Sequence, residues 1–388
     1  MRYREFRNYG LTDEQKAVRE AARRFTVKEI LPVINEYESK GQYPGDLIKK
    51  AGELGYLGAI IPEEYGGVGM DYVSYACLCE EIGYGCWVVC SAINMHNSLV
   101  GMGLSRFGSD SQKQQYLIPC ATGEKRVAGC FTEPNHGSDL SSIETTAKKD
   151  GESYILNGSK IWISHATHAD YFYVLATVNR ELKHKGMCIF LVDRTTLGVE
   201  TRVFPLHCLK RGDTGEVIFE DCRIPRENLV GEEGKGFKVT AGGLDIGRLN
   251  IASRCVGMAQ CCVDFSISYA RERVQFGKEI GKFQAIKHKI AEMVTQVEAA
   301  RLMVLRLARI MDTGSRASME AAMAKLFASE AGVRVALEAI QLHGGFGFAQ
   351  EYPVGRILME LKTLTIGEGT SEIMRSQIGD YSLGYKEY

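Results

Sequence analysis

The chain has 388 residues, 45% of them hydrophobic and 24% charged, the composition of an ordinary soluble globular protein. At roughly 150 residues per domain it holds two or three domains. Its 47 Lys and Arg balance 48 Asp and Glu, and the net charge of −1 argues against a general nucleic-acid binder, while the apolar content excludes a disordered tail protein.

Leu11 to about Tyr116 reads as helical. Thr12-Asp-Glu-Gln15 forms a capping box, and Gln15–Val33 follows with apolar residues at helical spacing. Asp46–Leu54 is a second helix, and Ile60–Gly67 is a loop broken by Pro62 and paired glycines. Helices are expected at Tyr72–Ile82, Asn97–Phe107 and Ser111–Leu117. From about Val127 to Val230 the texture becomes β. Tyr154–Ile163 reads as two short strands around Asn157-Gly158, a hairpin signal. Tyr171–Thr177, Met187–Val192, Val199–Val203 and Gly215–Phe219 are further strand candidates. From about Gly236 the helical pattern returns. Ile286, Ile290, Met293, Val297, Ala300, Val304, Leu307 and Met311 share one face of a long helix ended by Gly314. Ser318–Leu342 is another, closed by Gly344-Gly345. Wide apolar faces need partners, so a helical bundle is expected, and a homo-oligomer is plausible on the same grounds.

The twelve cysteines form no CxxC, and the charged start, Met1 to Arg7, has no leader-like apolar run. They read as small buried thiols of a cytoplasmic protein. No apolar run approaches the length of a membrane span. There is no GxGxxG after a strand, no P-loop, no HExxH and no GxSxG, and the histidines are scattered. No metal site is expected.

Four clusters remain. Cys130-Phe-Thr-Glu-Pro-Asn-His-Gly-Ser138 could bring backbone N–H groups to a phosphate or a heteroaromatic ring, or could be a plain turn. Trp162-Ile-Ser164 could cover a planar cofactor or pack in a core. Arg271 to Lys278, followed by Phe283-Gln284, could hold a diphosphate or be a solvated helix end. In Ile366-Gly-Glu368-Gly-Thr-Ser-Glu-Ile373, glycines flank a carboxylate that could act as a base, and a capped helix start fits as well.

In this order and at these separations the four clusters resemble the acyl-CoA dehydrogenase family of flavoproteins, from about Leu11 to Asp380. Ile61-Pro-Glu-Glu-Tyr-Gly-Gly-Val-Gly-Met70 resembles it too. The resemblance implies a mainly α fold with a central β domain: a helical domain over 1–126, a β-sheet or barrel domain over 127–235 and a four-helix bundle over 236–388. It implies FAD held between the middle domain and the bundle, and usually a homotetramer of paired dimers. By the same resemblance Phe131, Thr132, Gly137, Ser138, Trp162 and Ser164 line the flavin, and Arg273 and Gln284 bind the FAD of a neighbouring subunit. Gln341, Gly344 and Gly345 match the pyrophosphate turn, and Thr370 and Ser371 the last FAD contact.

Glu368 matches the glutamate that takes the α-proton of an acyl thioester while the β-hydrogen leaves for the flavin. Desolvation is expected to raise its pKa. Some members carry the base on the first bundle helix, but that slot here is Gly247 in Asp245-Ile-Gly-Arg248. Arg248, Asp245, Gly369 and Ser138 are the implied substrate contacts. The implied reaction is α,β-dehydrogenation of an acyl-CoA thioester, with an electron-transfer flavoprotein as acceptor. An oxidase or enoyl-thioester reductase on the same scaffold, and an acyl group on a carrier protein, stay open. Two departures bear on the substrate. Gly367 stands where many members have Tyr. Cys90, near Trp87, stands where glutaryl-CoA members have an arginine, which disfavours a dicarboxylyl substrate.

Overall fold

The computed structural model describes residues 7–209 and 211–385, so most of the charged start lies outside the described residues. The helices that matter below are α1 (Asp13–Phe25), α2 (Tyr72–Gly85), α3 (Trp87–Asn97), α4 (Gly236–Glu272), α5 (Gln284–Asp312), α6 (Ser318–His343), α7 (Val354–Leu364) and α8 (Ser371–Ser382). The strands are β1 (Val127–Cys130), β2 (Thr146–Asp150), β3 (Ser153–Ile163), β4 (Tyr171–Thr177), β5 (Met187–Asp193), β6 (Val199–Val203), β7 (Gly215–Pro225) and β8 (Leu229–Val230). The residues fall into two compact units. One takes the described residues up to Lys40, Met70–Cys90 and those from Arg248 on; the other takes Gly41–Gly69 and Ser91–Gly247.

The first unit is helical. Thr12 caps α1: its Oγ1 accepts the Gln15 N–H at 3.2 Å, and Gln15 Oε1 accepts the Thr12 N–H at 3.0 Å, the expected capping box. Helix α1 packs on α2, α2 on α5, and α6 on α5, α7 and α8. Glu80 of α2 is buried and accepts from Arg19 of α1 and Arg301 of α5, each at 3.0 Å; Arg301 also donates to Gln260 of α4 at 2.9 Å. A buried carboxylate survives only with such partners. Two glycines set the crossing of α2 and α4. A Cβ at Gly257 would lie 1.9 Å from the Glu80 carbonyl oxygen, and one at Gly83 2.8 Å from Arg254 Cα. On α5, Met293, Val297, Ala300, Val304, Leu307 and Met311 are buried as their spacing predicts, whereas Ile286 and Ile290 join a small cluster around Tyr269 and Leu342.

The second unit carries the eight-stranded sheet, in the order β6-β7-β3-β2-β4-β5-β8, with β1 paired to β4. Strand β4 is buried at every position. Its alternate residues feed two cores, Phe172, Val174 and Ala176 on one face and Tyr171, Tyr173 and Leu175 on the other. That is why its sequence is a continuous apolar run. The Asn157-Gly158 hairpin does not form. Strand β3 runs unbroken through it, pairing with β2 and β7. Asn157 instead bonds Asp221 in both directions, at 3.1 and 2.8 Å. Gly158 is required by a close approach: at φ +149° a Cβ there would sit 2.5 Å from Thr145 Oγ1. The expected helix at 97–107 begins ten residues earlier, at Trp87, and passes through a π-turn at Ser98–Met102 before Gly103–Phe107. Among the described residues no helix is long and apolar enough to cross a membrane.

Candidate active site

In the second unit the loop after β1 is fastened from below. Lys160 of β3 is fully buried; its Nζ donates to Glu133 Oε1 at 2.7 Å and to the Phe131 carbonyl at 3.1 Å. Glu133 also accepts the N–H groups of Glu144 and Thr145. Burial alone would raise the Glu133 pKa, but the Lys160 ammonium and these bonds hold it below the ordinary carboxylate value. Thr132 is joined to β3 through the Ile161 N–H, at 2.9 Å. Phe131 packs in the core, 6.3 Å from Tyr173 centroid to centroid. A tight turn at Glu133–His136 then leaves Gly137 and Ser138 exposed, and a Cβ at Gly137 would meet nothing within 4 Å.

Trp162 is 58% exposed and has φ +59°, an uncommon conformation for an aromatic residue. The cause is a bulge. Lys160 pairs with Val217 but Ile163 with Gly215, so three steps on β3 oppose two on β7. The extra residue turns the indole outward, against Phe204 at 5.2 Å, with half-buried Ser164 next but one. Strain combined with an exposed large aromatic ring marks a surface shaped for a ligand. Half-buried Asp245 lies in the same unit, on the first part of α4.

In the first unit the carboxylate candidate sits in the turn between α7 and α8. The Ile366 and Gly367 N–H groups both donate to the Thr363 carbonyl at 3.0 Å, and the Ser371 N–H donates to that of Thr365 at 3.0 Å. Between them Glu368 has φ +53° and Gly369 φ +103°. Thr370 caps α8, accepting the Ile373 N–H at 3.2 Å, and Ser371 is buried. The turn is held from outside by fully buried Lys325 of α6, whose Nζ donates to the Gly369 carbonyl at 2.6 Å. Burial pulls the Lys325 pKa down to about 8, against the raising effect of Cys255 and Glu368. Arg248 approaches from α4: its Nη2 would lie 3.9 Å from a Cβ at Gly369. One carboxylate, a guanidinium and an ammonium therefore meet at a strained turn, with one oxygen of Glu368 shielded from solvent.

The remaining candidates gather elsewhere in this unit. Arg273 and Gln284 are exposed, on either side of a short ribbon (Val274–Gln275 with Lys278–Glu279). Gly344 and Gly345 stand open at the end of α6, beside exposed Gln341. Both sets flank the cluster of Tyr269, His343 and Tyr352. Lys325 and Gln341 are sixteen residues apart on α6, about 24 Å along the helix axis, so these sets and the Glu368 turn occupy different ends of it. Sequence reasoning missed Glu133, Lys160 and Lys325. Only a charged residue inside an apolar pattern, as in Ala324-Lys325-Leu326, could have pointed to the last. It also missed Phe276, 93% exposed at the ribbon tip.

Comparison with known proteins agrees with this arrangement of parts. The acyl-CoA dehydrogenase N-terminal, middle and C-terminal domain families match residues 12–124, 128–222 and 234–383. The chain is 42% identical to a probable acyl-CoA dehydrogenase, YngJ, of Bacillus subtilis over 370 residues, covering 95% of this chain and 97% of the other. It is 39% identical to the mitochondrial short-chain specific acyl-CoA dehydrogenase of Rattus norvegicus, covering 97% and 92%. The structure of butyryl-CoA dehydrogenase from Megasphaera elsdenii superposes with a TM-score of 0.94 at 36% identity, covering 97% and 99%. The chain belongs to the acyl-CoA dehydrogenase family and is an oxidoreductase of that family.

Proposed function

We propose that the enzyme removes the α- and β-hydrogens of an acyl-CoA thioester to give the 2-enoyl thioester, with Glu368 as the base. The observation that carries this is the Glu368 turn. The only carboxylate of that turn is presented at positive φ, fixed through the Gly369–Lys325 bond and faced by Arg248. Glu368 accepts the α-proton, a general-base role that needs a carboxylate held at one position. Its own backbone N–H is the donor for the thioester carbonyl, where charge builds as the proton leaves. Arg248 and Asp245 orient the thioester, with Gly369 and Ser138 along its path.

The residues present fit FAD. Trp162 offers an exposed ring, Gly137, Gly344 and Gly345 leave their backbones open, and Thr132, Ser138 and Ser164 supply polar groups. FAD, when bound, supplies the two-electron acceptor for the β-hydrogen. Phe131, Thr132, Gly137, Ser138, Trp162, Ser164, Thr370 and Ser371 hold the flavin of their own chain in this reading. Arg273 and Gln284 serve the FAD of a second copy, and Gln341, Gly344 and Gly345 form the pyrophosphate turn. A homotetramer in the cytoplasm, reoxidised by an electron-transfer flavoprotein, completes the proposal, as do domains over 1–126, 127–235 and 236–388.

The test is Glu368→Gln. The variant should purify yellow with bound FAD, yet butanoyl-CoA should no longer bleach the flavin. Retained bleaching would sink the base assignment. A protein purified without flavin would sink the cofactor assignment.

A further inference from the structure

Helices α2, α3 and α4 bury two sets of polar side chains and treat them differently. Tyr75, Cys79, Cys90 and Asn250 satisfy one another. Asn250 Nδ2 donates to Tyr75 Oη at 3.2 Å and to Cys79 Sγ at 3.0 Å, and Cys90 Sγ reaches the Cys79 carbonyl at 3.5 Å and Asn250 Oδ1 at 3.8 Å. One turn further along the same face of α4 stands Arg254, 3% exposed. Its Nη1 donates to the Trp87 carbonyl at 3.2 Å, while its Nε has no acceptor among the described residues. No described carboxylate pairs with it. Trp87 is 6% exposed, and its indole N–H is likewise buried without an acceptor.

A guanidinium taken out of water without a counter-charge is costly, and a buried donor left unbonded adds to that cost. Two such donors, on residues joined through the Trp87 main-chain carbonyl, leave a demand for acceptors that a bound group can meet. Helix α2 packs closely on the stem of Arg254: a Cβ at Gly83 would sit 3.0 Å from Arg254 Cγ. Position links the pair to the reaction. Arg254 follows Arg248 by six residues on α4, about 9 Å along the axis. Arg248 stands at the Glu368 turn.

We infer that Arg254 and Trp87 receive the far end of the acyl group, and that the preferred substrate carries a carboxylate there. This rests on the dehydrogenase reading above. A carboxylate matches a guanidinium fork and takes the indole N–H with a spare lone pair. Cys90 of α3 offers such a group no charge, but α4 brings a guanidinium to Trp87, the first residue of α3.

The experiment uses the FAD-loaded enzyme and two series of CoA esters, straight-chain acyl and ω-carboxyacyl of the same lengths. At one length the ω-carboxyl ester should exceed its alkyl counterpart at least about tenfold in kcat/KM, as expected where buried donors would otherwise stay unbonded. Arg254→Met should lower that ratio about 100-fold, Arg254→Lys less, and Trp87→Phe several-fold. The wild-type ratio needs no variant, so a misfolded Arg254→Met protein does not spare the idea. A ratio at or below one at every length overturns it, as does a ratio that Arg254→Met leaves unchanged. If neither series bleaches the flavin, the dehydrogenase reading itself falls and takes this inference with it. If only alkyl esters bleach it, the reading stands and the inference falls.

Discussion

Among the described residues each unit buries one lysine completely beside a loop that carries site candidates, and the two lysines are balanced differently. Lys160 closes a salt bridge with Glu133 and donates to the Phe131 carbonyl, so its charge is matched within the loop it fastens. Lys325 donates to the Gly369 carbonyl, and no described carboxylate forms an ion pair with it. Burial lowers the pKa of both, and for Lys325 it does so to about 8. The first arrangement is a closed staple. The second leaves positive charge beside the turn that presents Glu368, at some cost to stability. A buried cation can thus serve a scaffold or a reaction, and the partner decides which.

The largest expected effect breaks the closed staple. Lys160→Met strands the Glu133 carboxylate in the interior and should destabilise the protein by about 3–5 kcal/mol. Denaturant titration measures this, and Lys160→Met with Glu133→Leu should recover part of the loss, since two apolar groups can replace a buried pair. Lys325→Met should act mainly on rate. Loosening the Gly369 carbonyl shifts the base, and a displacement near 1 Å costs about 100-fold in flavin reduction. Equal losses of rate in the Lys160 and Lys325 variants would erase the contrast.

A pH series sharpens it. The ordinary lysine pKa is 10.5, and Lys325 lies at about 8 in the folded chain. Between these values the unfolded chain holds a proton that the folded chain has released. Stability gains from this group as pH rises through that window, and below it the folded chain carries the cost of the buried cation. The melting temperature of the wild type relative to Lys325→Met should therefore climb from about pH 8 to about pH 10 and be flat below. The smallest effect is Thr370→Ala, which removes the α8 cap at the edge of the Glu368 turn. It should cost about 1 kcal/mol, read as a small shift in melting temperature.

What the sequence disclosed follows from how far apart the interacting residues lie. The Thr12 capping box is a local signal and was legible in full. So was the face of α5 from Met293 to Met311, where a periodic stripe is buried. Asn157-Gly158 misleads because the Asn157 side chain answers to Asp221 on β7, and Gly158 to the close approach of Thr145 just before β2. The start of α3 is hidden because Trp-Val-Val-Cys-Ser-Ala-Ile is apolar on every side, leaving no period to read. Glu368 stood out through its flanking glycines. Glu133 and Lys160, twenty-seven residues apart, carry no joint mark in the chain. Arg254 looks like any charged residue on a helix until Gly83 is seen against it.

The cysteines have a practical consequence. Among the twelve cysteines only Cys208 is partly accessible; the others are buried. Burial also raises the pKa of Cys77, Cys120, Cys255 and Cys261 to about 12, which suppresses the reactive thiolate. A folded molecule should therefore take up a single alkyl label, and each further label counts an opening of the core around a known position. Mass spectrometry of a timed alkylation would give the chain a built-in gauge of local unfolding in both units, with no added probe.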